Sequence, residues 1–423
     1  MNPIIENIEQ SQNVMKFRLS GVNVSLANAL RRTIISDIPT VVFKTSPYEE
    51  NKANIISNTS RLNNEVIKQR LSCIPIHIDD LEIPIQNLIM EVNETNDTDS
   101  IMYVTTEHFK IKDKNTQQYL TEKDVRAIFP PNSYTNYYID FVRLRPKISE
   151  ELPGEKLNMT CEFSIGTSKE DGMFNVVSTC AYGFTQDIGL IEIELEKKLQ
   201  KCRDTGMKKE EIDFEKKNWM MLDAFRLTVP NSFEFIIETI GVFTCKQLIV
   251  TACHVLIERL NELNDIIEAN ELSIELSQNT MANCYDIRLE NEDYTIGKML
   301  EYMLHTLFYE NAEHNLKKKE VMKNVADLNE RVQKHNENPD NSGKLFQPMT
   351  PSTPPMSENF LGGVNILTYC GFKKFHPHDS HSIIRLAYKD PTNPSIIKGH
   401  MQICITESIK VYNSIMSSFT TRK

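Results

Sequence analysis

The chain has 423 residues, 40% of them hydrophobic and 25% charged, which predicts a globular protein of two or three domains. Its net charge of −11 argues against a protein that grips nucleic acid through a general basic excess. Its apolar runs are far shorter than the roughly 20 residues that a membrane helix needs.

The N-terminus and the cysteines indicate a compartment. The first ten residues lack the basic flank and apolar block of a signal peptide, and the nine cysteines are odd in number and scattered. We therefore expect an intracellular protein with reduced thiols and no membrane contact.

A strand and a helix come first. Lys16–Leu19 alternates apolar and polar residues, as a strand does, and Asn23 or Ser25 is suited to cap the helix that follows. Asp37 and Pro39 predict its end. The apolar residues at helical spacing between them are Leu26, Ala27, Leu30 and Ile34.

A second block and a change of character follow. Asn58–Ser60 predicts the cap of a short helix over Arg61–Leu71, and Ile74–Ile78 has a strand-like pattern. From residue 79 to 223, polar tracts, prolines and short strands such as Leu157–Ile165 predict a mainly β inserted subdomain.

The pattern of strand and long helix then returns. Phe233, Phe235 and Ile237 alternate in a predicted strand, and Thr244–Gln247 matches a capping box. The helix that it opens has an apolar face broader than one small sheet should cover.

The last third repeats this arrangement. A strand over Tyr285–Leu289 precedes a helix that begins near Thr295, and strands over Ile366–Tyr369 and Ser382–Tyr388 precede a final helix at Pro394. The predicted organisation is α+β, with residues 1–78 and 224–268 as one unit, 79–223 as its insertion, 269–280 as a linker, 281–310 and 363–423 as a second unit, and 311–362 as a charged and Pro/Ser/Thr-rich insertion.

The segment Val22–Arg32 resembles the signature helix of the alpha-type RNA polymerase proteins, which are bacterial alpha, the archaeal D protein and the third-largest subunit of eukaryotic nuclear polymerases. Asn58–Ser60, with Glu65 and Arg70–Ile76, resembles the next block of that family. Phe233–Leu263 resembles its closing strand and dimerisation helix. These three blocks occur in the family's order and cover about a third of the chain.

The C-terminal part resembles the smaller partner of that family, the archaeal L protein or the eukaryotic eleventh subunit. Asp293–Gly297 is similar to its helix-opening motif, and Gly371-Phe372, His376-Pro377 and Ile383–Leu386 are similar to its later turn and strand. Such a fusion of the two partners is similar to that of large nucleocytoplasmic DNA viruses, which implies the host cytoplasm and the virion as locations.

The resemblance implies a non-catalytic assembly platform. Its implied partners are the second-largest and largest polymerase subunits and other small subunits, with only indirect contact to nucleic acid and no homodimer. Its implied large-subunit contacts are Asn28, Arg31, Arg32, Glu65 and Arg70. Its implied intramolecular dimer interface consists of Leu248, Ala252, Val255, Leu256, Leu300, Met303, Leu304, Met401, Ile405 and Tyr412.

We expect no catalytic residues, no cofactor and no metal. Phosphate-loop, dinucleotide and hydrolase motifs are absent from the sequence, as is any cysteine between Asp79 and Thr160, where related proteins often carry a metal loop. The residues that suit zinc are Cys370, His376, His378, Asp379 and His381. Two alternatives therefore stay open, a metal- or ligand-binding protein with this fold and a regulator that sequesters polymerase subunits.

Overall fold

The computed structural model describes residues 1–149, 153–310 and 367–420. The predicted insertion at 311–362 lies outside the described residues. None of the helices in the described ranges has the length and apolar character needed to cross a membrane.

The strands are antiparallel wherever they pair. They are β1 Ile4–Ser11, β2 Val14–Ser20, β3 Thr40–Val42, β4 Ala53–Asn58, β5 Leu88–Thr95, β6 Met102–Thr105, β7 Lys110–Asp113, β8 Asp140–Leu144, β9 Lys156–Glu162, β10 Ser164–Gly166, β11 Val177–Gln186, β12 Thr228–Thr239, β13 Ile274–Leu276, β14 Cys284–Glu290, β15 Leu367–Lys373 and β16 His381–Tyr388.

The helices differ widely in length. They are α1 Val24–Ser36, α2 Asn64–Ser72, α3 Glu122–Ile128, α4 Ile188–Asp204, α5 Lys209–Leu222, α6 Cys245–Glu268, α7 Tyr294–Leu304 and α8 Pro394–Thr420. A π-helical turn, His305–Glu310, continues α7. The predicted α+β class is confirmed.

The chain forms two compact units. The first comprises Met1–Leu256 with Asn413–Lys423, and the second comprises Ile257–Tyr412. The division falls inside α6 and inside α8, so each of these long helices supplies residues to both units.

The first unit contains a four-stranded sheet in the order β1-β2-β12-β11. Its inner face is apolar because every second residue of β2 and β12 points to the same side. Phe17 of β2 stacks on Phe235 of β12 with ring centroids 5.1 Å apart, and the Phe419 ring of α8 packs edge-on against Phe17 at 5.2 Å. Aromatic pairs of these geometries stabilise by about 0.5–1.5 kcal/mol beyond their buried area.

A second core in this unit lies among the sheet β4-β9-β5-β7, the strand pair β6-β8 and α2. Phe109 is central to it, since its ring contacts Phe129 and Phe141 edge-on, both with ring centroids 5.3 Å away. Ile67 and Leu71 bring the buried face of α2 to the same cluster.

The second unit has a four-stranded sheet in the order β13-β14-β16-β15. Helix α7 is capped by Asp293, whose side chain accepts a hydrogen bond from the Thr295 N–H at 2.8 Å. Its apolar residues lie on one buried face, as the spacing of Ile296, Met299 and Met303 predicts.

Two local predictions were wrong. The second helix is capped by Asn63 and not by Asn58–Ser60, because the Asn63 side chain accepts the Val66 N–H at 2.9 Å. Asn58 instead closes a turn by donating from Nδ2 to the carbonyl of Leu62 at 2.8 Å. Ile74–Ile78 is not a strand, although its isoleucines are buried, because its backbone pairs with no neighbouring strand.

Four elements lie in ranges for which the sequence predicted a different structure. Strand β11 lies within residues 79–223 but pairs with β12 in the first sheet. Helices α4 and α5 lie in the same range, beyond the short strands that the sequence suggested there. Strand β13 lies within residues 269–280 and pairs with β14, with Ile274 opposite Ile287.

Candidate protein-contact site

Helix α1 carries a buried stripe and a half-buried polar side. Leu26, Leu30 and Ile34 are buried on one face of the helix, as their spacing indicated, and belong to the core. The Asn23 side chain starts the helix by accepting the Ser25 N–H at 2.9 Å. This start places Asn28, Arg31 and Arg32 on the half-buried part of the helix.

A hydrogen bond links two of these polar residues across one helical turn. The Nε of Arg31 donates to Oδ1 of Asn28 at 2.9 Å, at the i, i+3 spacing that brings side chains together on a helix. The bond holds the planar guanidinium close to the helix surface, a geometry suited to bidentate contact with a carboxylate or with backbone carbonyls.

Arg31 also lies beside the edge strand β11. Burial raises the pKa of the Cys180 thiol to about 12, and the nearby positive charge of Arg31 opposes this rise. The pKa of Tyr182 is likewise raised by burial and held down by Arg31. Arg31 of α1 therefore lies close to Cys180 and Tyr182 of β11.

Glu65 and Arg70 of α2 differ in their surroundings. The Glu65 side chain is 81% exposed, with its Oε1 3.5 Å from Nζ of Lys68. Arg70 donates from Nε to the Phe141 carbonyl and from Nη2 to the Asp140 carbonyl, both at 2.7 Å. Arg70 thus joins α2 to β8, whereas Glu65 projects into solvent.

A cavity of about 230 Å³ opens beside the end of α2. Its lining consists of Thr40–Val42, Ser72–Ile76, Met173–Val176, Ile240 and Val242. The lining is mostly apolar, so the cavity suits an apolar side chain better than a charged ligand. His77 follows the lining residue Ile76 in the chain, and burial lowers the pKa of its side chain. The backbone N–H of His77 donates to the Ile128 carbonyl at 3.0 Å.

The predicted dimerisation residues are buried within the single chain, except that Val255 is half-buried. Exposure is 0–1% for Leu248, Ala252, Leu256, Leu300, Met303, Leu304, Met401, Ile405 and Tyr412. Helix α6 starts at the predicted capping box, in which Thr244 N–H donates to Oε1 of Gln247 at 2.8 Å and Gln247 N–H donates to Oγ1 of Thr244 at 3.3 Å.

The residues considered for zinc have other contacts. Cys370 Sγ donates to the Glu301 carbonyl at 3.6 Å, and burial raises the pKa of this thiol to about 12, which keeps it protonated. The His376 N–H donates to Oδ2 of Asp379 at 2.9 Å in a local turn. Across the described residues, no three His, Cys, Asp or Glu side chains lie together as metal ligands would.

Sequence reasoning missed the exposed apolar side chains of α4 and α5. Phe214 and Met221 are 68% and 72% exposed. Their signal in the sequence is a seven-residue spacing within a charged segment, which places both on one helix face but leaves open whether that face is buried.

The fold is α+β, with antiparallel sheets and long helices, and its helix α1 has a half-buried polar side. Residues 16–260 match the RNA polymerase Rpb3/Rpb11 dimerisation domain, which is more than half of the chain. The chain belongs to this family.

Individual relatives agree with the match. The chain is 22% identical over 309 residues to human DNA-directed RNA polymerases I and III subunit RPAC1, covering 63% of this chain and 85% of that protein. It is 25% identical over 198 residues to DNA-directed RNA polymerase subunit Rpo3 of Picrophilus torridus, covering 46% of this chain and 68% of that protein. It is 30% identical over 196 residues to Rpo3 of Thermoplasma volcanium, covering 45% of this chain and 65% of that protein.

Proposed function

We propose that this chain is a non-catalytic assembly platform of a multisubunit DNA-directed RNA polymerase, built as an intramolecular heterodimer. Its first unit takes the place of an alpha-type subunit and its second unit takes the place of the smaller partner. The family match to residues 16–260 supports a polymerase subunit role, as do the alpha-type relatives.

The observation that carries the heterodimer proposal is burial without a second molecule. Leu248 and Leu256 of α6, and Met401 of α8, are 0% exposed in one chain. Fully burying such side chains stabilises each by about 1.5–3 kcal/mol relative to exposure. A homodimer formed through these faces would have to uncover them first, so we expect none.

Covalent linkage favours this arrangement. A tether gives the two units an effective concentration on the order of millimolar for short flexible links, and it fixes their ratio at one to one. The second-largest subunit then binds the platform, and the resulting complex captures the largest subunit. Sedimentation of the isolated chain should show a monomer, and a concentration-dependent dimer would contradict the proposal.

The large-subunit contact is proposed to be centred on α1. Arg31, held by Asn28, offers a positioned guanidinium beside the half-buried Arg32. Glu65 is accessible to a partner, whereas the Arg70 guanidinium already donates hydrogen bonds to two backbone carbonyls of β8. Other small polymerase subunits are proposed as further partners.

The first test is purification of the tagged chain from its native source, with identification of its partners and an assay of RNA synthesis. We expect two very large subunits in an active complex, lost on the charge reversals Arg31→Glu and Arg32→Glu. Arg126→Glu on the exposed side of α3 is the matched control and should keep the complex.

Other outcomes of that purification separate the alternatives. Inactive large subunits bound to the chain would indicate a sequestering regulator, and a chain that purifies alone would contradict the platform role.

We also propose a viral origin, with the protein in the host cytoplasm and the virion. Mass spectrometry of purified virions tests the packaging, and the absence of this chain from active particles would refute it.

A further inference from the structure

The hairpin of α4 and α5 exposes an unusual amount of apolar surface. Phe184, Phe214 and Phe225 are 55%, 68% and 63% exposed, and all three lie in the hairpin or at its base. The base is closed by a hydrogen bond from Asp187 N–H to the Leu227 carbonyl at 3.0 Å. Grouped exposed aromatic residues mark contact surfaces more often than scattered ones do.

Helix α5 has an inner and an outer face. Ile212 and Trp219 are half-buried on the inner face, and Glu215, at the border between the two faces, pairs with Lys198 of α4 at 3.4 Å. Phe214 and Met221 are seven residues apart in α5 and lie on its outer side, and Met207, which precedes the helix, lines a pocket with Phe214. The inner contacts hold the hairpin together, so the outer stripe is presented on a supported helix.

The first turns of the outer face are acidic. Glu210, Glu211 and Glu215 line one shallow pocket together with Met207 and Phe214. Lys209 and Lys217 also lie in α5, so the acidic character is local to the surroundings of Phe214. The stripe therefore pairs an exposed aromatic ring with carboxylates on both of its sides.

We propose that the outer face of α5 docks an amphipathic helix of a partner protein, one with Lys or Arg beside its apolar residues. Apolar side chains at helical spacing in the partner cover Phe214 and Met221. A basic side chain at one end meets Glu210 and Glu211, and stacks on the Phe214 ring. This docking surface does not depend on the assembly role proposed above.

The test uses the full chain and two synthetic helical peptides of about 20 residues with leucines at heptad spacing. One peptide carries Lys at its polar positions, and the other carries Glu at the same positions. Fluorescence anisotropy should show that the Lys peptide binds at least about tenfold more tightly than the Glu peptide. Equal binding of both peptides would overturn the proposal.

Variants locate the binding. The double variant Phe214→Asp with Met221→Asp should bind the Lys peptide at least about tenfold more weakly. Glu210→Lys should reduce the difference in affinity between the Lys peptide and the Glu peptide. Phe375→Asp, at a 56% exposed phenylalanine in the second unit, is the matched control and should leave binding unchanged. Circular dichroism confirms folding, which these exposed positions should preserve. Lys-peptide binding that survives the double substitution would also overturn the proposal.

Discussion

The ring of Phe372 lies directly over Gly297, which is where β15 meets α7 in the second unit. A Cβ placed on Gly297 would lie 1.9 Å from Cε2 of Phe372, far inside van der Waals contact. Both residues belong to motifs that the sequence singled out separately. Their contact gives those motifs one physical reason, since the helix needs a residue without a side chain where the ring packs.

Gly297→Ala should therefore destabilise the second unit by about 1–3 kcal/mol, because the added methyl group overpacks the site. Gly399→Ala in α8 is the matched control, since nothing lies within 4 Å of its Cβ position. The control should be neutral or stabilising by up to about 1 kcal/mol. Urea unfolding compares the two, and an equal effect of both substitutions would refute the packing argument.

Thr244→Ala should destabilise the first unit by about 1 kcal/mol, because it removes the side-chain cap at the start of α6. Gln247→Ala should have a similar effect, since Gln247 accepts from Thr244 N–H and donates from Nε2 to Oδ2 of Asp79 at 2.8 Å. Thermal unfolding measures both. Fully additive losses in the double variant would show that the two residues do not act as one capping box.

Arg259 of α6 and Glu292 form a largely buried ion pair in the second unit, with side chains 15% and 13% exposed and Nη2 to Oε2 at 2.5 Å. A double-mutant cycle with Arg259→Met and Glu292→Gln should give a coupling of about 1–3 kcal/mol. The pair Arg226 and Asp223, whose side chains are 83% and 50% exposed, should give a coupling energy of about 0–0.5 kcal/mol. Comparable coupling for both pairs would contradict the role of burial.

The stability of the second unit should depend on pH through His400. Burial lowers the pKa of His400 from 6.5 to about 4, its Nδ1 lies 3.0 Å from the Tyr388 hydroxyl, and its ring stacks on Phe308. The unfolded chain takes up the proton near pH 6.5 and the folded chain does not. Stability therefore falls as the pH drops from 6.5 towards 4, by at most about 3 kcal/mol.

His400→Phe keeps an aromatic ring at this position. It should reduce the loss of stability between pH 6.5 and 4, although the variant should be somewhat less stable than the original chain at neutral pH. His254→Gln, at an exposed position of α6, is the control and should leave the pH dependence as it is. Chemical unfolding at a series of pH values measures the effect. An unchanged slope in His400→Phe would show that another group is responsible.

Local sequence patterns predicted the long elements well. The stripe of Leu26, Leu30 and Ile34 and the capping box of Thr244 and Gln247 appear as expected, because helical periodicity and caps depend on residues within one or two turns. The start of α2 was missed because Asn58 and Asn63 are both suitable caps, and only the turn closed by Asn58 decides between them.

The candidate site was predictable in part. Spacing placed Asn28 and Arg31 together on α1, but it did not show that Arg70 would join the backbone of β8. Nor did it indicate that Phe214 and Met221 would be solvent-exposed. A seven-residue apolar spacing looks the same whether the face is buried within the chain or presented to a partner.

The sequence by itself therefore determined the class of elements, their caps and their apolar faces, since these follow from backbone geometry over a few neighbouring residues. The tertiary structure alone decided that β11 joins the sheet of β12, that Phe372 covers Gly297 and that Phe419 reaches Phe17. Each of these contacts joins residues far apart in the chain. Such pairings are settled by which buried surfaces fit together, a property that short-range periodicity does not carry.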